Sequence, residues 1–150
     1  MIPVIIVVGI IAVDQLTKLL VRSNLALGES IPVLGDFMRF LYVRNTGTAF
    51  SMFENNKLIT LGLTTILVVV CLLFLVYEYK KGHILSACCA ALIVGGGIGN
   101  LIDRVVLGYV TDMISVGNFA IFNVADMGVT CGCVLLLLCV LFTKEGRDDE

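Results

Sequence analysis

The sequence holds a single histidine, His83, and places it in the polar stretch from Glu78 to His83. A Ser-His triad, or a zinc site built on imidazole, therefore has almost nothing to work with. Charge is sparse too: charged residues make up 15% of the chain, the formal net charge is -2, and the charges gather at the ends of apolar runs. Neither the basic footprint of a nucleic-acid binder nor a polybasic lipid-binding arm is present, so no nucleic-acid partner is expected. The six cysteines (Cys71, Cys88, Cys89, Cys131, Cys133 and Cys139) all lie inside apolar runs, where they read as small hydrophobes and not as a disulfide framework. Cys131 and Cys133 lack partner ligands, so no metal and no cofactor are expected. There is no internal repeat and no domain boundary, and the chain reads as one unit over residues 1–150.

What is abundant is apolar surface. Hydrophobic residues are 59% of the chain and the mean hydropathy is +1.04, well above the share of about half found in soluble domains even with glycine counted. This composition belongs to a membrane protein. Apolar runs at about 2–22, 58–77, 84–104 and 127–142 are long enough to cross a hydrocarbon core of about 30 Å as helices. The first has Pro3 at the tolerated first turn and lacks a basic leader and a small-residue cleavage site, so it is expected to be retained as a span. Two lysines, Lys80 and Lys81, in the short link after the second span suggest the cytoplasmic side for that link. Both termini would then be cytoplasmic and the segments 23–56 and 105–123 would face outward, although Arg22, Arg39, Arg44 and Lys57 on that side weaken the charge argument.

Within 23–56 the period changes to two. Phe37, Arg39, Leu41 and Val43 alternate with Met38, Phe40, Tyr42 and Arg44, after Ser30 to Leu34 and a Gly35-Asp36 turn. A small antiparallel sheet is expected there, between the first two spans. The third span carries Ala87, Ala91, Gly95 and Gly99 at four-residue spacing, a small-residue stripe that lets helices approach closely, so this helix should be central.

The chemistry concentrates between Gly99 and Asp126. Asn100, Asp103, Arg104, Asp112, Asn123 and Asp126 stand beside membrane-grade apolar sequence, where ionisable groups are costly and so become functional candidates. Bland alternatives exist for several. Asp14, Lys18 and Arg22 share a helix face, either as an ion pair or as a snorkelling helix end; Asp103 with Arg104 could anchor the third helix at an interface; Asp126 could cap the fourth. Asp112, in an apolar setting without an adjacent base, fits a solvated loop less well. Asp112 and Asp126 can meet only if the Gly117-Asn118 region folds the chain back. Two carboxylates forced together share a proton, and such a pair can activate water for attack on a peptide carbonyl. With no Ser or Cys nucleophile in a polar context, an aspartyl hydrolase is the only peptidase chemistry open to the chain. A transporter or channel subunit using the acids as ion sites is the competing reading, though no inverted repeat or pair of interrupted helices supports it. A purely structural membrane subunit is third.

Five motifs bear on the choice: Asp14-Gln-Leu-Thr-Lys18, Asn45-Thr-Gly-Thr-Ala-Phe50, Gly95-Gly-Gly-Ile-Gly-Asn-Leu-Ile-Asp-Arg104, Val110-Thr-Asp112 and Phe122-Asn-Val-Ala-Asp126. In order and spacing they resemble the motifs of the lipoprotein signal peptidase (signal peptidase II) family over nearly the whole chain. The resemblance implies a four-span α-helical membrane protein with an outward-facing β-cradle, acting as an aspartyl endopeptidase of the bacterial cytoplasmic membrane. It would cut prolipoproteins before a diacylglyceryl-modified cysteine, with those precursors and membrane lipids as partners, and as a monomer. By motif position it implies Asp112 and Asp126 as the catalytic pair, Asn45, Gly47, Asn100, Arg104 and Asn123 as substrate-binding, and Asp14, Lys18 and Asp103 as supporting. One departure is Met113, where the family usually has an aromatic; it bears on wall packing and substrate preference.

Overall fold

Glycine sets how close the helices lie, and its positions decide the core. The computed structural model describes residues 1–35, 37–47, 57–117 and 121–142. Four helices dominate it, α1 (Ile2–Asn24), α2 (Lys57–Lys81), α3 (Ile84–Val106) and α4 (Val124–Phe142), and each is long and apolar enough to cross a membrane. The second and fourth run further than the hydropathy drop suggested: α2 continues through Glu78 to Lys81, and α4 begins at Val124 because Asn123 caps it.

α3 is the central helix and packs against α1, α2 and α4. Its small stripe is why: Ala87, Ala91, Gly95 and Gly99 are buried, while the other three helices turn most of their apolar surface outward, as lipid-facing helices do. A Cβ on Gly95 would lie 3.0 Å from Ile10 of α1, one on Gly97 would lie 2.7 Å from Val68 of α2, and one on Gly96 would overlap the Ala125 carbonyl oxygen of α4. Each glycine thus admits a different neighbour. Leu75, Ala90, Ala91 and Val94 form a buried apolar cluster, with Ile6, Val7, Cys71 and Ile98 packed against it.

Strands β1 (Ser30–Leu34), β2 (Met38–Asn45), β3 (Val110–Val116) and β4 (Ile121–Phe122) make one antiparallel sheet in the order β1-β2-β3-β4. The β1–β2 hairpin is where the alternation placed it. The second half is an addition: β3 and β4 come from the segment between α3 and α4, whose Val110-Thr-Asp-Met-Ile-Ser-Val run offers β-branched residues but too mixed a pattern to announce itself. Pairing Phe40 with Ile114 and Val43 with Asp112, across a bulge in β2, stitches the two outer segments together. Ile114 faces Phe122 across β3 and β4, so the chain does fold back after Gly117 (φ 52°). Asn118, Asp36 and the motif residues 48–50 lie outside the described residues.

The sheet occupies the end of the bundle where α1 and α3 finish and α2 and α4 begin. At the other end, Met1 donates from its amino group to the Tyr79 hydroxyl (3.2 Å), and Gly82 (φ 85°) turns the chain between α2 and α3. His83 is at that far end, with Nδ1 3.0 Å from Glu78 Oε2, remote from the acids.

Close approach makes a test. Gly96→Ala, and Gly132→Ala, whose Cβ would come within 2.8 Å of the Cys89 carbonyl oxygen, should each cost about 1–3 kcal/mol of stability through overpacking. Gly62→Ala, which meets nothing within 4 Å, should be tolerated. Thermal unfolding of the three variants in detergent measures this, and equal midpoints for all three would contradict the packing described.

Candidate active site

The acids are positioned by four elements that meet beneath the sheet. Asp112 projects from the middle of β3 and is almost fully buried (3% exposed). Asp126 sits in the first turn of α4 and is half-buried. Asn123 joins them. Its Nδ2 donates to Asp112 Oδ1 at 2.7 Å, its Oδ1 accepts the Asp126 backbone N–H at 2.9 Å, and its own N–H donates to Asp126 Oδ2 at 3.2 Å. The last two bonds form a reciprocal capping box at the start of α4. Asp126 therefore is a helix cap, as its bland reading held, and the cap is also what holds it beside Asp112.

Two more amides complete the ring. Asn45, at the end of β2, donates from Nδ2 to Asp112 Oδ2 at 3.0 Å, and its own Oδ1 accepts the Gly47 N–H at 3.1 Å. Gly47 thus lies behind Asn45 and fixes its amide. Asn100 of α3 donates from Nδ2 to Asp126 Oδ1 at 2.8 Å, while its Oδ1 accepts both Asn123 Nδ2 (3.1 Å) and Lys18 Nζ (2.9 Å). Burial pushes the Asp112 carboxyl up to about 6; neighbouring Asp126 adds to this, and the Asn45 and Asn123 donors and Lys18 oppose it.

Behind the amides lies a buried ionic knot. Lys18 and Asp14 of α1 have no exposed surface and pair at 2.8 Å; Lys18 also reaches Asp103 at 3.5 Å. Asp14 Oδ1 accepts the Ala125 N–H (2.9 Å), one of the donors that the first turn of α4 leaves unpaired. Asp103 Oδ2 accepts the Thr111 N–H (2.8 Å) beside Asp112, and its other oxygen faces Arg22 at 3.5 Å. For Asp14, Lys18 and Asp103 the snorkelling and interfacial-anchor readings give way, because these three side chains point inward at 0–1% exposure, whereas Arg22 keeps 22%. Gln15, Arg22 and Thr111 belong to the knot and were not singled out as site residues. Gln15 bridges Asp14, the Gly99 carbonyl and Asp103, and an amide inside an apolar helix was its available signal. Arg22 continues the Asp14-Lys18 spacing. Nothing in the sequence marks Thr111.

An apolar groove of about 410 Å³ opens between α2, α3 and α4 and ends at Asn100, Arg104 and Asp126. A narrower pocket of about 70 Å³ reaches the same Arg104 from the side of Asn45 and Tyr109. Arg104 stands where the two approach and interacts electrostatically with Asp126, then Asp112 and Asp103.

This arrangement, two carboxylates held by amides at the foot of a lipid-facing groove, coincides with a match to the family model described as signal peptidase (SPase) II over residues 6–142. The chain belongs to the signal peptidase II family. Relatives named lipoprotein signal peptidase include one from Streptococcus thermophilus, 42% identical over 141 residues and covering 93% of this chain and 91% of the relative. Another, from Moorella thermoacetica, is 35% identical over 142 residues and covers 93% of each. A solved structure described as a bacterial membrane enzyme superposes with a TM-score of 0.85 at 28% identity, covering 99% of this chain and 93% of the other. Signal peptidase II is an aspartic peptidase family, and that membership removes the support for a transporter, channel or purely structural subunit.

The ionic knot predicts a specific energetic response. Lys18→Met should destabilise the protein by about 3–5 kcal/mol, the cost of stranding Asp14 and Asp103 without their shared cation. Adding Asp14→Leu should recover part of that loss. Thermal melts of the single and double variants give the coupling, and additive effects would mean that the pair does not hold α1 against α4.

Proposed function

We propose that this protein cuts prolipoproteins immediately N-terminal to a diacylglyceryl-modified cysteine, using Asp112 and Asp126 as an acid–base pair. Membership in the family supports removal of signal peptides from prolipoproteins. The observation that carries the cleavage position and the roles of the two acids is Asn123, hydrogen-bonded to both carboxyl residues beside an apolar groove that ends at Asp126.

The proton count follows from the surroundings. Among the described residues, four carboxylates (Asp14, Asp103, Asp112 and Asp126) share the buried cluster with three cations (Lys18, Arg22 and Arg104). Electroneutrality in a medium that screens poorly then calls for one proton on a carboxyl. Lys18 and Arg22 lie against Asp14 and Asp103, which leaves that proton to the Asp112–Asp126 pair. Asp112 is the better holder: it is the more buried of the two, and its carboxyl is raised. Asp126 accepts hydrogen bonds from the Asn100 amide and the Asn123 N–H and stands at the end of the groove, which suits it to the base role.

In the reaction, Asp126 takes a proton from water as the water oxygen bonds to the scissile carbonyl carbon, and Asp112 gives its proton to the carbonyl oxygen. Collapse of the tetrahedral intermediate breaks the C–N bond. The leaving nitrogen takes the proton from Asp126, and Asp112 recovers one from the intermediate's hydroxyl. Arg104, at the junction of groove and pocket, is suited to hold the peptide backbone near the glyceryl linkage, with Asn45 on the opposite wall and Gly47 fixing its amide from behind.

The remainder of the reading concerns placement. With the Lys80-Lys81 turn on the cytoplasmic side, both termini lie there and the sheet and acid pair lie near the outer leaflet. Two of the cations that argue the other way are engaged within the protein: Arg22 with Asp103, and Arg44 over the rings of Tyr109 (4.9 Å) and Tyr42.

Asp112→Asn and Asp126→Asn should each lower cleavage of a lipid-modified precursor by at least about a hundredfold, the low end for an acid–base group, while melting close to wild type. Near-normal turnover by either would end the dyad assignment. The kcat/KM profile should be bell-shaped, with its alkaline limb near pH 6 as the pair loses the proton that Asp112 holds; bound substrate, by excluding water, should push the corresponding limb of kcat higher.

A paired assay on one precursor with and without its diacylglyceryl group tests the cleavage rule. The groove is lined chiefly by apolar side chains, and each methylene it buries is worth about 0.8 kcal/mol, so only the modified substrate should be cut at an appreciable rate. Equal cleavage of both would overturn lipid gating.

A further inference from the structure

A second apolar groove, of about 420 Å³, lies between α1 and the sheet, apart from the one between α2, α3 and α4 that ends at Asp126. Its walls are Leu20 and Val21 of α1, Ile31 of β1 and Phe40 of β2, and its floor is Met113 and Val124. Ile31, Phe40, Ile114 and Phe122 pair in one cross-strand row, so an apolar rank spans all four strands. The polar lining residues have used their groups locally: the Thr17 hydroxyl donates to the Val13 and Asp14 carbonyls, and Asn24 Nδ2 donates to the Leu20 carbonyl. A site so furnished offers water almost no partners and favours an apolar occupant.

We propose that this groove is a resident binding site for one acyl chain of a bilayer phospholipid. It is continuous with the lipid-facing surface of α1, where Leu16, Leu19 and Leu20 are each more than half exposed. Among the described residues no charged side chain lines the groove, so nothing in it would fix the register of a partner helix, whereas apolar walls suit a hydrocarbon chain. A single extended chain fits a narrow trough. The occupant touches Met113 and Val124, the residues that follow Asp112 and Asn123, so the chain packs directly behind the segments that carry the acid pair. Met113 is an unbranched, adaptable side chain suited to such a wall. The proposal stands on the groove itself and holds or fails separately from the catalytic roles assigned above.

The sequence has no tryptophan, so a single introduced tryptophan is a sole fluorescent reporter. Leu20→Trp and Ile31→Trp report from the two walls, and Val70→Trp, on the exposed lipid face of α2, reports ordinary lipid contact. Each is reconstituted with phosphatidylglycerol brominated along its acyl chains, in increasing mole fraction. Quenching of the groove reporters should saturate at a low fraction, whereas the Val70→Trp signal should fall in proportion to the fraction. Adding Val21→Phe, which fills the groove, should return both groove reporters to proportional behaviour. Proportional quenching of all three reporters, or a plateau that survives Val21→Phe, overturns the proposal. A diacylglyceryl-modified peptide should leave the plateau unchanged; relief of quenching by that peptide would assign the groove to the substrate's own chains and overturn the bilayer-lipid assignment.

Discussion

Burying Lys18 between Asp14 and Asp103 is the constraint from which most of this structure follows. An ammonium and two carboxylates at 0–1% exposure inside an apolar bundle are tolerable only if every lone pair and proton finds a partner. The partners are what connect the elements. Asp14 takes a backbone donor from α4, Asp103 takes one from β3, Gln15 bridges to the Gly99 carbonyl of α3, and Lys18 spends a remaining donor on Asn100. Removing water from these charges therefore fixes α1, α3, β3 and α4 against one another at one level of the bundle. That level is where Asp112 and Asp126 stand. The close approach needed for such short bonds is supplied by glycine: a Cβ on Gly99 would sit 2.6 Å from Asp14 Oδ2, so the same small residue that admits the helix admits the carboxylate.

How much of this could be read from the residues depends on the range of the signal. Apolar runs announce spans because the bilayer requires about 20 residues of them, and the four helices came out where the runs are. The β1–β2 hairpin was legible from alternation over Phe37 to Arg44. The β3–β4 pair was not, because the seven strand residues ending at Val116 carry an acid among them and pair mainly with β2, more than sixty residues away in sequence. For the site, polar residues in apolar context pointed to Asp14, Lys18, Asn100, Asp103, Asp112 and Asp126. What no local pattern could give was direction: that Asp103 turns inward to Lys18 and the Thr111 N–H instead of anchoring an interface, or that Gly47 serves Asn45. Those facts depend on long-range contacts.

The two apolar grooves give the bundle an asymmetry that its four-span plan does not suggest. One lies between α2, α3 and α4 and reaches Asp126; the other lies between α1 and the sheet and ends behind Asp112. Asp112 and Asn123 are buried and line neither groove, whereas Asp126 borders the first. On the proposed mechanism this decides which carboxylate meets substrate water and which stays dry, so the difference in protonation is built from access as well as from hydrogen bonds.

Among the described residues, amides and not charged groups make the direct hydrogen bonds to the proposed pair, and the choice has a chemical consequence. A lysine donating straight to Asp112 or Asp126 would favour its ionised form and leave the pair without the proton it must pass. Asn45, Asn100 and Asn123 donate N–H groups with no added charge, so they fix geometry while leaving the proton count to the carboxylates. Lys18 still exerts control, one residue removed: its ammonium occupies the Asn100 oxygen, and so turns the Asn100 amide nitrogen toward Asp126. The same Asn100 oxygen also accepts a hydrogen bond from Asn123 Nδ2, which in turn donates to Asp112. A single buried cation thus orients donors to both acids through two amides, which allows the cluster to be rigid, nearly neutral and still able to exchange one proton.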